Sequence, residues 1–200
     1  MGRPPLQFWF DFGSTYSYPA ALRVAPAAGA DGVQVLWRPF LLGPIFQLQG
    51  WNDSPYNLNP RRGAYMWRDI ERICRRHRFP FRRPSVFPRN GLLASRVCCV
   101  EPEAAWVADF CRAVFRANFA EDRDIADREM IRGILDGLGQ EGSALIERAT
   151  SPDGKERLRQ RTAEAEALGL FGAPHFVAAG ELFWGNDRLD EALGWLRESW

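Results

Sequence analysis

Residues 6–18 read LQFWFDFGSTYSY, and the way this run divides decides the fold. Residues 6–11 are short, apolar and aromatic, and are bounded by Pro5 and Gly13, which predicts a buried strand. Residues 16–28 are rich in Ala, Leu and Val and suit a helix, which Gly29 and Gly32, on either side of Asp31, bring to an end. Val33-Gln34-Val35-Leu36-Trp37 then alternates and predicts a second strand. Two strands joined through a helix in this way run parallel, with a right-handed crossover. Ser14 and Ser17 stand three apart where the first strand gives way to the helix.

The far end of the chain returns to the same alternation. His175-Phe176-Val177-Ala178 reads as a strand, Gly180 as a turn and Leu182-Phe183-Trp184 as another strand. Gly180-Glu181 is short enough for a hairpin, so these two strands are antiparallel. Asn186 and Asp187 can cap a terminal helix running through Trp195, with Leu189, Leu193 and Leu196 toward the core. Between the two ends, residues 41–60 carry three prolines and two glycines and read as loop. From Arg61 to about Leu170 the apolar spacing is helical, including helices over 127–138, 142–149 and 153–168. The order is βαβ, a helical block, then ββα. This predicts an α/β fold: a thioredoxin-like four-stranded mixed sheet with an inserted all-helical domain. Residues 1–40 and 155–200 would form the thioredoxin-like domain and residues 41–154 the insertion.

Composition narrows the functional classes. The net charge of +1 gives no reason to expect a polyanionic partner. The run Arg75-Arg76-His77-Arg78, with Arg82 and Arg83, therefore reads as a solvated helix end and loop rather than a nucleic-acid surface. Lys155 is the one lysine, so nearly all positive charge is arginine, whose fork suits carboxylates. Cys74, Cys98, Cys99 and Cys111 form no C-x-x-C pair and read as buried thiols, and His77 and His175 stand alone, so no metal site is expected. No charged segment leads into a long apolar one at the start, and no apolar run is long enough to span a membrane. A cytoplasmic protein is the expectation.

Three short stretches can carry chemistry. Ser14 lies where free N–H groups and the dipole of the first helix favour an anion. A cysteine there would ionise; a serine hydroxyl cannot, but it can donate a hydrogen bond to a thiolate that arrives with a ligand. The alternative is that Ser14 simply caps the helix. Ala173-Pro174 precedes the third strand and is a candidate cis peptide. Ala173 would then offer its backbone to an extended peptide, and the alternative is an ordinary turn proline. Trp184-Gly185-Asn186-Asp187 opens the last helix, where N–H groups could take a carboxylate and Asp187 an ammonium; plain capping is again the alternative.

DFGSTYSY (11–18), FLLGPIF (40–46), NPRRGAYMWRDIER (59–72), FPFRRPSVFPRN (79–90), FGAPHF (171–176) and FWGNDRLD (183–190) together resemble one family over nearly the whole chain. The chain is similar to the 2-hydroxychromene-2-carboxylate isomerases, relatives of the kappa-class glutathione transferases and of DsbA-type oxidoreductases. The resemblance implies a homodimer, glutathione as cofactor and a small aromatic substrate held between the two domains. It makes Ser14 the catalytic serine that meets the glutathione sulfur. It gives Ala173 and Pro174 the cysteinyl backbone, and Trp184, Gly185, Asn186 and Asp187 the γ-glutamyl end. Gln47, Asn57, Arg61 and Asn90 fall at or near its substrate positions. Two residues depart from the pattern: Thr15 stands where a proline is usual, and Gln47 where many members have a lysine. A glutathione transferase or peroxidase, and a non-catalytic binding protein, are the competing functions.

Overall fold

The computed structural model describes residues 4–198; residues 1–3 and 199–200 lie outside it. The sheet has four strands in the order β2-β1-β3-β4. Its inner strand β1 (Leu6–Phe10) runs parallel to β2 (Val35–Pro39), with Leu6 opposite Val35. On its other side β1 is antiparallel to β3 (His175–Ala178), with Phe8 opposite Phe176. β3 is antiparallel to β4 (Glu181–Trp184). The crossover that a parallel pair requires is supplied by α1 (Ser17–Ala30). The mixed α/β sheet expected from the sequence is thus present. β2 starts two residues later than the alternation suggests because its register is set by β1, and it ends on Pro39. That residue is tolerated because β2 is an edge strand.

Side chains alternate across β1, so its two faces bury different neighbours. Phe8 and Phe10 enter the main core. There Phe8 meets Phe176 at 5.5 Å and Trp37 at 5.1 Å between ring centroids. Trp9 faces the other way and packs with Phe40, Leu170 and Val177. Each such ring, fully buried, contributes about 1.5–3 kcal/mol relative to exposure. The first face is covered by α1 and by α10 (Leu189–Glu198), the second by α9 (Pro152–Ala167). Leu189, Leu193 and Leu196 are buried, as the spacing predicts, although the helix is preceded by a 3-10 turn at Asn186–Arg188.

The stretch 41–60 departs from expectation. It contains α2 (Leu42–Leu48) and α3 (Pro55–Leu58) and leads into α4 (Pro60–His77). Pro55 and Pro60, which read as breakers, each sit in the opening turn of a helix, where a missing N–H costs nothing. Each follows a capping side chain: Ser54 Oγ accepts from the Tyr56 N–H at 3.3 Å and Asn59 Oδ1 from the Arg62 N–H at 3.1 Å. The remaining helices are α5 (Leu92–Val100), α6 (Trp106–Phe119), α7 (Arg128–Gly137) and α8 (Gly142–Thr150). Among the described residues, no helix is long and apolar enough to cross a membrane.

Candidate active site

The chain leaves β1 through a turn fixed by the half-buried carboxylate of Asp11. Asp11 accepts from the Gly13 N–H at 2.7 Å and the Leu42 N–H at 2.9 Å, which ties α2 to the loop that carries Ser14. Burial pushes the Asp11 carboxyl up, and the two amide donors act against that shift. Gly13 leaves little room for a side chain: a Cβ would lie 3.1 Å from Arg89 O and 3.3 Å from Pro88 Cβ. At Gly91 a Cβ would come within 2.6 Å of Phe12 Cβ. The loops 11–14 and 88–91 therefore touch backbone to backbone.

A polar clamp locks this contact from behind. Asn118, buried on α6, donates to Phe12 O at 3.0 Å and accepts from Arg89 at 3.3 Å through its side-chain oxygen. Arg89 also pairs with Asp122 at 2.5 Å. The Ser85 N–H and Arg89 hold the Asp122 carboxyl down to about 2. A buried ion pair of this kind is weak evidence for stability and better read as fixing geometry.

Ser14 lies at the start of α1, nearly buried. Its hydroxyl donates to Ala173 O at 2.9 Å and accepts from the Ser17 N–H, the first amide of α1, at 3.3 Å, so it bridges the helix start and the opposing loop. The Ala173–Pro174 bond is cis, and so is Phe87–Pro88. Pro174 O accepts from the Gly185 N–H at 3.0 Å, which joins the two stretches expected to hold a peptide. Gly185 has φ +116°, and a Cβ there would lie 2.5 Å from Asp187 Oδ1, so only glycine suits the position. Ser17, by contrast, is fully buried and its hydroxyl has no partner among the described residues.

Two grooves meet beside Ser14. The larger, about 1080 Å³, is lined by Ser14 together with Gln47, Arg61 and Asn90, and by Phe46, Trp51 and Tyr65. The smaller, about 790 Å³, runs between α4 and the start of α10 and is lined by Ala173, Pro174, Trp184, Gly185, Asn186 and Asp187. Tyr16, Tyr56, Ala173 and Trp184 border both. Of the sequence-predicted site residues, Asn57 is not brought into either groove. Its amide donates to Asp53 at 3.1 Å and to Phe87 O at 3.2 Å, bracing the loop behind the cleft.

Several charges along the smaller groove hold one another. Arg23 donates to Asn186 O at 2.8 Å and Asn186 Oδ1 at 3.1 Å, and pairs with Asp190 at 3.1 Å. Tyr16 donates to Asp69 at 3.0 Å; burial, Tyr56 and Asp69 all keep the phenol from ionising. Asp187 keeps a 78% exposed carboxylate, 3.9 Å from Arg188. The protein's own thiols are shielded from solvent. All four are buried, and burial pushes Cys74 and Cys99 up to about 12.

Asp11, Asn118, Arg89 and Arg23 escape a sequence reading. The one visible signal is Asn118, a polar residue inside the apolar face of VFRANF.

A mixed sheet whose β1–α1 loop faces a cis-proline loop defines a thioredoxin-fold protein, here with hydroxyls in place of thiols at the helix start. The chain belongs to the DSBA-like thioredoxin domain family, whose model matches residues 5–196. It is 28% identical to a 2-hydroxychromene-2-carboxylate isomerase of Sphingobium xenophagum, over 92% of this chain and 94% of that one. It is 24% identical to glutathione S-transferase kappa 1 of Homo sapiens, over 98% and 92% of the two chains. A solved 2-hydroxychromene-2-carboxylate isomerase structure superposes with a TM-score of 0.87 at 25% identity, covering 98% of this chain and 97% of that one. The resemblance carried by the sequence motifs is therefore borne out. These relatives are isomerases and glutathione transferases, which supports an enzyme of the DSBA-like family.

Proposed function

We propose that the protein is a glutathione-dependent cis–trans isomerase of an aromatic or enone carboxylate such as 2-hydroxychromene-2-carboxylate. The observation that carries this reading is the place of Ser14: a nearly buried hydroxyl at a helix start, where a peptide-shaped groove opens into an aromatic cleft. The residues present fit glutathione. Gly185 lines the smaller groove without a side chain, and Gly172, in the larger cleft, lets the Trp184 indole pack close, since a Cβ there would lie 2.8 Å from it. Asp187 offers an exposed carboxylate for an ammonium, and Ala173 offers a backbone edge for a cysteinyl residue.

Glutathione, when bound, supplies the thiolate that adds to the conjugated double bond, lets the resulting single bond turn and leaves unchanged. Ser14 and the N-terminus of α1 favour the thiolate form. Arg61, Gln47 and Asn90 orient the substrate's carboxylate and carbonyl in the larger cleft. In this reading the substrate lies between residues 1–40 with 155–200 and the insertion 41–154. Ser14→Ala should lower turnover of hydroxychromene carboxylate by about a hundredfold or more while calorimetric affinity for glutathione persists. Unchanged turnover would remove Ser14 from the mechanism. Total glutathione should stay constant through the reaction; its consumption would favour a kappa-type transferase.

A further inference from the structure

We infer that the hydrogen bond between Ser14 and Ala173 makes an amide N–H beside the thiol a condition for ionising that thiol. The inference rests on the proposed glutathione site. Ser14 has one hydroxyl proton, and it is committed to Ala173 O at 2.9 Å. The Ser17 N–H occupies an acceptor position of the same oxygen at 3.3 Å. Ser14 is only 8% exposed, so bulk water does not readily compete for these bonds. A hydroxyl engaged in this way cannot donate to a sulfur placed next to it.

The neighbouring hydroxyls do not replace it. Thr15 Oγ1 donates to Met66 Sδ at 3.1 Å, and Tyr16 donates to Asp69 at 3.0 Å. The release must come from the ligand. A cysteinyl residue laid along Ala173 in the manner of an added strand brings its own N–H to Ala173 O. That carbonyl has two lone pairs, so it takes the new donor before it gives up the old one. Ser14 is then free to turn to the sulfur, where a charge-assisted bond is the stronger one. A thiol that lacks the N–H offers no such exchange: Ser14 stays on Ala173, or Ala173 O loses its protein partner beneath the bound ligand. The site therefore sorts thiols by the amide beside them, and a simple alkyl thiol is poorly activated even when it fills the groove.

The test compares glutathione with an analogue whose cysteinyl N–H is replaced by an ester oxygen. Calorimetry measures binding, and thiolate ultraviolet absorbance against pH measures the ionisation of each bound thiol, in the native protein and in Ser14→Ala. The native protein should hold about tenfold more thiolate with glutathione than with the analogue at a given pH, and the difference should vanish in Ser14→Ala while both ligands still bind. Equal ionisation of the two ligands in the native protein overturns the inference, as does a difference that survives in Ser14→Ala. An analogue that fails to bind at all also counts against it, because the N–H would then serve binding rather than activation. If glutathione itself does not bind, the proposed site fails and the inference falls with it, an outcome calorimetry separates from the others.

Discussion

The smaller groove carries most of its charges already engaged: Arg23 with Asn186 and Asp190, Asp69 with Tyr16 and Arg72, Asp187 beside Arg188. The larger cleft is walled by rings such as Phe46, Trp51 and Tyr65. There Arg61 and Arg62 stand exposed at the start of α4, with no ion pair among the described residues. The first arrangement is rigid before any ligand arrives, and rigid donors lose little freedom on binding. The second offers apolar area and two exposed cations, which would suit a range of aromatic anions under the proposed function. A fixed partner on one side and an adaptable one on the other is what a common cosubstrate with a variable second substrate requires.

That contrast can be broken at several points. The largest effect is expected from Ser14→Ala at the junction, where turnover collapses while neither groove loses its ligand. Next comes the backbone contact that holds the junction. Gly91→Ala, which drives a Cβ into Phe12, should cost about 1–3 kcal/mol of stability in denaturant titrations. An undiminished midpoint would mean that the loops 11–14 and 88–91 can part freely. Asp187→Asn should weaken glutathione binding by roughly three- to tenfold in calorimetry and leave the KM for the aromatic substrate alone. Arg61→Gln should do the reverse, raising that KM a few-fold, by an amount that shrinks with added salt because the charge is exposed. If either substitution moved both constants together, the two grooves would not be independent.

The smallest effect is in pH dependence, where two carboxylates act with opposite signs. Asp122 is held near 2 against its ordinary 3.8, so its contribution to stability is present above about 4 and is lost as pH falls through 2. Asp11 is raised by burial, so its protonation favours the folded state as pH falls through its folded value. Asp122→Asn should therefore flatten the acid side of the stability curve, measured by denaturant unfolding across the acid range. A variant that still loses stability over the same window would assign the loss to other carboxylates.

Much of this was legible in the chain because it is local. Alternation in LQFWF and HFVA specifies strands, and the stretches at Ser14, Ala173-Pro174 and Trp184–Asp187 are each a few residues long and each readable as a turn or helix start. The helices at 42–48 and 55–58 were not legible. Proline reads alike in a loop and in the first turn of a helix; the Ser54 cap separates the two at 55–58, while the helix at 42–48 has no side-chain cap and is tied through the Leu42 N–H to the distant Asp11. Asn57 was expected near the substrate; its amide instead bridges Asp53 and Phe87 O, partners that include one 30 residues away.

The sequence by itself determined the strand and helix periods, the hydroxyls at the head of α1 and the glycines where the backbone must turn or approach closely. Only the tertiary structure decided that Ser14 spends its proton on Ala173, 159 residues away, and that Asn118 and Arg89 lock the loop behind it. Period and turn chemistry act between near neighbours and leave a trace in composition. A hydrogen bond between distant loops depends on how sheet and helices pack, and no spacing along the chain records it.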